Sequence, residues 1–120
     1  MPRPPKPTTV AGSPEARIYV GDSREVLPSL PSDDVFDLIF ADPPFNWKRD
    51  YDRWGKGGAW DDSIPENDYL DFTYAWLDLC AARLADHGAL WVNIPDTWAA
   101  EIVVHLKQSR LKMVNWCVWH

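Results

Sequence analysis

The sequence predicts an α/β fold on a mostly parallel sheet, with helices on both faces and the sheet incomplete at its carboxyl end. Three observations carry this reading. Short β-branched and aromatic runs alternate with segments whose apolar residues recur at helical spacing. One such run, Asp37-Leu38-Ile39-Phe40, has the content of a buried strand and stops near Ala41, because neither Pro43 nor Pro44 can continue a central ladder without an N–H. The chain also reaches His120 straight from an apolar run, with no turn, cap or polar tail.

Residues 1–14 are rich in proline, carry Arg3 and Lys6 and lack periodicity, so they read as a disordered basic tail before a folded unit over 15–120. Arg17-Ile18-Tyr19-Val20 is a strand by residue type, and Gly21-Asp22 ends it. Ser23 then caps a brief helix through Leu27, stopped by Pro28, and a polar turn from Pro31 leads to the strand before Asp42. Ser63-Ile64-Pro65-Glu66 has the spacing of a capping box, and Leu70, Tyr74, Leu77, Ala81 and Leu84 give the following helix one packing face. Gly88 is expected to end that helix and Ala89 to Ile94 to form the next buried strand. Asp96 is placed to cap a helix from Thr97 to Ser109 with Ile102, Val103 and Leu106 on its apolar face, and Met113 to Trp119 reads as a last strand.

The 120 residues, 46% of them hydrophobic, suffice for one small domain and not for two. No stretch has membrane-spanning length and the start lacks an apolar signal region, which makes a cytoplasmic location the expectation. Cys80 and Cys117 fall inside predicted elements and read as buried thiols; His105 has no second ligand at helical spacing, so no metal is expected. A formal net charge of −6 by itself argues against a nucleic-acid surface.

The chemistry concentrates at Asp42-Pro43-Pro44-Phe45. A strand's carboxyl end in an open α/β sheet is where ligands sit. Here it presents an acceptor-only carboxylate, a stiff backbone carbonyl at Pro43 and a flat ring at Phe45. These suit a planar substrate bearing an NH₂ group: Asp42 and the Pro43 carbonyl each take one amine hydrogen while Phe45 stacks on the ring. An Asp-Pro-Pro turn closing a strand is the structural alternative. Residues 46–62 follow, interleaving Trp47, Tyr51, Trp54 and Trp60 with Lys48, Arg49, Arg53 and Lys56 around Gly55, Gly57 and Gly58. Beside an active site this composition suits a lid that touches phosphates and a displaced base, or a surface loop whose tryptophans pack back on the body. The glycines do not make a dinucleotide fingerprint, since they neither follow a strand nor open a helix.

Asp42-Pro43-Pro44-Phe45 resembles the (D/N/S)-P-P-(Y/F/W) motif of S-adenosylmethionine-dependent DNA amino-methyltransferases, which act on adenine N6 or cytosine N4. The resemblance extends from Ile18 through Asp22 and the motif to Asn115-Trp116-Cys117-Val118-Trp119-His120. It implies a partial Rossmann-like methyltransferase sheet and a permuted order with the catalytic half first. No F-x-G-x-G-like cofactor element occurs in the chain, so the resemblance implies an amino-terminal fragment whose cofactor half follows. It further implies catalysis by Asp42, Pro43, Pro44 and Phe45, and cofactor contact at Asp22 and Ala41. Base or DNA contact is expected from Asn46, Trp47, Lys48, Arg49, Tyr51 and Arg53. S-adenosylmethionine is the implied cofactor and double-stranded DNA the implied partner, with most DNA contacts made by a recognition region outside these residues, which makes the acidic charge less of an objection. Adenine N6 is the target the leading Asp42 suggests; cytosine N4 and a non-catalytic remnant are the alternatives. For Asp22, termination of its strand remains equally open.

Overall fold

A computed structural model describes residues 6–52, 55 and 57–120. Its elements run β1 (Thr9–Ala11), β2 (Ala16–Ile18), α1 (Ser23–Ser29), β3 (Phe36–Ala41), α2 (Glu66–Arg83), β4 (Leu84–Val92) and α3 (Asp96–Lys107). β1 and β2 form an antiparallel pair, whereas β3 and β4 are parallel neighbours joined through α2, as a parallel connection requires. The chain is thus a small α/β unit with two separate sheets.

The core lies between α2, α3 and one face of the parallel sheet. Tyr69, Trp76, Leu77 and Cys80 of α2 meet Trp98 and Ile102 of α3, and Ile39, Ala41, Leu90 and Val92 pack on them from the sheet. Because strand side chains alternate, Leu38, Phe40 and Trp91 point the other way, and Phe40 and Trp91 stay 62% and 53% exposed. Among the described residues the helices therefore cover one face of the sheet, not both, and the run containing Leu38 and Phe40 is half-buried at most. The reason lies in α1, which docks on α2. Leu27 packs on the core, and the Arg83 guanidinium donates to the carbonyls of Leu30 at 3.0 Å, Asp34 at 3.2 Å and Pro31.

Several local expectations shift. The stretch 1–14 contributes β1, paired with β2 through Thr9, Val10 and Ala11, although every residue of the pair is exposed. Asp22, not Ser23, caps α1: its carboxylate accepts the Arg24 N–H at 2.9 Å, and Pro28 sits inside the last turn. The capping box does not form, because the Ser63 N–H and hydroxyl both turn to Asp61 and α2 starts only after Pro65. Asp96 is the first residue of α3 rather than its cap. The expected Leu77, Ala81 and Leu84 are buried, but Tyr69, Thr73, Trp76 and Cys80 complete the stripe in place of Leu70 and Tyr74, with the buried Thr73 hydroxyl donating to the Tyr69 carbonyl at 2.8 Å.

β4 begins directly after α2, earlier than Gly88 suggested. Its register with β3 advances from Phe36 opposite Leu84 to Leu38 opposite Ala89, so the extra residues of β4 bulge. Gly88 is what the bulge requires. A Cβ there would stand 2.9 Å from the Phe36 carbonyl oxygen and 3.0 Å from that of Asp37.

Met113 to Trp119 forms no strand and is exposed, Trp119 to 97%. A strand persists only where a neighbour completes its ladder, and no described strand pairs with this stretch. Cys117 is accordingly an exposed free thiol, while Cys80 is buried as expected. His105 accepts or donates with Asp78 at 2.7 Å and stacks on Tyr74 with ring centroids 4.2 Å apart, a clip between α2 and α3. Among the described residues no group could hold a metal ion, and no helix is long and apolar enough to cross a membrane.

Candidate active site

β3 delivers Asp42 to the carboxyl edge of the parallel pair, and three backbone carbonyls of the turn out of the strand are tied. The Ala41 carbonyl accepts the Asn93 N–H at 2.9 Å. The Pro44 carbonyl accepts the hydroxyl of Tyr69 at 2.6 Å, and the Phe45 carbonyl accepts the indole N–H of Trp98 at 2.9 Å. Tyr69 and Trp98 are buried core residues of α2 and α3, so the motif hangs on the core itself. Burial raises the Tyr69 phenol above its ordinary pKa and keeps its hydroxyl a donor.

Two acceptors are left over. No donor among the described residues reaches the Pro43 carbonyl, and the exposed Asp42 carboxylate receives one long bond, from the Asn93 side-chain amide to Oδ1 at 3.4 Å. A prolyl carbonyl and a carboxylate on successive residues thus keep accepting capacity. Asp42 and Pro43 line an open cleft of ≈ 900 Å³, together with Pro44, Phe45, Asp22 and Tyr51. That volume is in the range of small-molecule sites.

Asp22, which lines the same cleft, is held by Arg24. Its side chain and then its backbone N–H, with Nη2 to Oδ2 at 2.7 Å, keep the carboxyl below its usual pKa, so an ionised acceptor faces the same space as Asp42. Ala41 does not line the cleft; its side chain packs on the core.

Beyond Phe45 the chain makes a strained turn in which Asn46 and Lys48 adopt left-handed φ values of 58° and 61°. Asp62 compensates for that strain. Only 2% exposed, its carboxylate accepts the N–H groups of Asn46 at 3.0 Å, Trp47 at 2.9 Å and Arg49 at 3.0 Å, while its own carbonyl accepts the Lys48 N–H at 2.7 Å. Next to it the Asn46 amide donates to the Ile64 carbonyl at 2.9 Å and accepts the Ile64 N–H at 3.0 Å. The Asn46 side chain thus uses both ends of its amide on Ile64. Trp47 leans edge-on against Phe45 with centroids 5.2 Å apart, and Arg49 lies over Trp47 at 5.5 Å. Arg49 and Tyr51 reach the cleft; Lys48 is exposed outside it. Arg53, and with it Trp54 and Lys56, lies outside the described residues.

Residues 36–120 match the DNA methylase family of the N6/N4 type. The chain belongs to that family. Among similar proteins is the type II methyltransferase M.BamHI of Bacillus amyloliquefaciens, 37% identical over 101 residues that make up 83% of this chain and 22% of that protein. M.SmaI of Serratia marcescens is 39% identical over 85 residues, 70% of this chain and 27% of that protein. M.HpaI of Haemophilus parainfluenzae is 29% identical over 107 residues, 88% of this chain and 32% of that protein. The chain spans roughly a fifth to a third of the length of these relatives. No solved structure matches.

In this DNA methylase chain, four residues that sequence reasoning passed over hold the motif: Asp62, Tyr69, Asn93 and Trp98. A signal for two of them was present. Prolines leave carbonyls in need of donors, and Tyr69 and Trp98 each offer an apolar body with one polar hydrogen.

Proposed function

We propose that the protein containing this chain transfers a methyl group from S-adenosylmethionine to the exocyclic amine of a base flipped out of double-stranded DNA. The observation that carries this is that Asp42, Pro43 and Phe45 line one cleft at a strand's carboxyl end, where the Asp42 carboxylate takes one long bond and the Pro43 carbonyl takes none from the described residues. An exocyclic NH₂ has two hydrogens. Bound to these two acceptors it has its nitrogen lone pair directed away from both. The base must leave the duplex, because its amine is otherwise engaged in pairing, and unstacking costs a few kcal/mol that stacking on Phe45 offsets.

The chain's residues fit one corner of the methyl donor. Asp22, ionised and open to the cleft, is an acceptor for an amine of its adenine. When bound, S-adenosylmethionine supplies an activated methyl group on a sulfonium centre. Asp42 stabilises the positive charge that grows on the amine nitrogen, and the tethered Pro43-Pro44-Phe45 backbone does so without reorganising. Adenine N6 is the proposed target on the strength of the leading Asp42; cytosine N4 presents the same two donors and is the alternative. A cytoplasmic location goes with this reading.

Asp42→Ala in the full-length protein tests it. Methyl transfer to DNA from labelled S-adenosylmethionine is expected to fall by ~100-fold or more, as loss of one preorganised electrostatic partner commonly does. Cofactor binding is expected to change far less. Near-normal turnover by the variant contradicts the assignment.

A further inference from the structure

Asp62 has no part in the chemistry just described, yet it is one of only two buried polar or charged residues among those described. A buried carboxylate is costly unless its lone pairs are used, and here they are used on three successive or near-successive backbone N–H groups, those of Asn46, Trp47 and Arg49. Those groups belong to the turn that carries Phe45, Trp47 and Arg49, a row of ring, ring and guanidinium whose two ends, Phe45 and Arg49, line the cleft. Left-handed φ values at Asn46 and Lys48, neither of them glycine, persist only where surrounding bonds over-determine them. The Asn46–Ile64 amide pair closes the same turn from its other side.

We propose that Asp62 is a positioning residue for base capture: its carboxylate fixes the Asn46–Arg49 turn so that the Phe45 ring meets the flipped base and Arg49 is held where a backbone phosphate passes. The inference rests on the methyltransferase reading for its function and on the geometry alone for its structural half. Asp62→Asn is the informative change. It keeps the size, but the amide has one acceptor oxygen and turns N–H donors toward backbone N–H donors.

Two readouts on the full-length protein separate the cases. In hydrogen exchange, the amides of Asn46, Trp47 and Arg49 are expected to be protected in the wild type and to lose ~10-fold or more of that protection in Asp62→Asn. In single-turnover assays with saturating S-adenosylmethionine, transfer is expected to slow ~10- to 100-fold while the cofactor Kd stays within about threefold, the effect of a small misplacement near the reacting groups. Asn46→Ala, which opens the turn from its other side, is expected to reproduce both changes in weaker form. Transfer within about threefold of wild type, or unchanged protection, overturns the proposal, and so does an Asp62→Asn protein without a cooperative melt, which makes Asp62 a folding residue. A wild type that transfers no methyl to DNA removes the proposed function; the exchange measurement still decides the structural half, and unprotected amides in the wild type overturn it.

Discussion

The indole N–H of Trp98 donates to the carbonyl of Phe45 at 2.9 Å, joining residues 53 positions apart in sequence. With the Tyr69 hydroxyl on the Pro44 carbonyl, it ties the last two carbonyls of the Asp42-Pro43-Pro44-Phe45 motif to the core, while all four residues line the cleft. Two buried aromatic residues on two different helices thus hold the end of the motif.

Removing one of those donors has a measurable consequence. Tyr69→Phe keeps the ring and deletes the hydroxyl, so the full-length protein is expected to lose about 1–3 kcal/mol of stability, the cost of leaving the Pro44 carbonyl without its partner. The loss depends on pH. Burial raises the folded-state pKa of Tyr69 above its unfolded value of about 10, so its contribution is complete below pH ~10 and disappears as pH rises through the folded pKa. Thermal melts from pH ~8 to ~11 are expected to show the gap between wild type and Tyr69→Phe narrowing above pH ~10; a constant gap contradicts the role.

Phe45 has a different tolerance. Stacking accepts another ring and not a small side chain, so Phe45→Tyr and Phe45→Trp are expected to retain activity while Phe45→Ala loses about 1–3 kcal/mol of base binding. Binding of DNA carrying an abasic site at the target position provides the control. Equal activity of the alanine and tyrosine variants means that the ring only packs against Trp47.

Gly88 is constrained by close approach rather than by a turn. Gly88→Ala drives a methyl group into the carbonyls of Phe36 and Asp37 and against Leu84, and is expected to cost about 1–3 kcal/mol, read as a lowered Tm of the full-length protein. An unchanged Tm contradicts the observed bulge.

What the sequence made legible was what is local. The end of β3 could be read because an apolar run meets two prolines, and α2 could be read because its apolar residues recur at helical spacing, although Tyr69 and Thr73 set the buried stripe where Leu70 and Tyr74 were expected. The strand after α2 was visible in Ala89 to Ile94, but its early start at Leu84 depends on a bulge against Phe36 that no periodicity encodes. Met113 to Trp119 has strand composition and forms no strand, since pairing is a property of two segments and not of one. The motif tetrapeptide was legible at once; its supports were not. Asp62 lies 13 to 16 residues from the N–H groups it binds and Asn93 lies 51 from Asp42, and in sequence both look like ordinary polar residues at the ends of elements.

Base-resolution detection of modified nucleotides tests whether Asp42 and the Pro43 carbonyl hold the amine of a DNA base for methylation. DNA from cells expressing the full-length gene is expected to carry a methylated exocyclic amine, N6-methyladenine on the favoured reading and N4-methylcytosine on the alternative, at one short recurrent sequence. The mark is expected to vanish in cells expressing Asp42→Ala at the same protein level. DNA without any modified amine, or a mark that persists in the Asp42→Ala cells, contradicts the account.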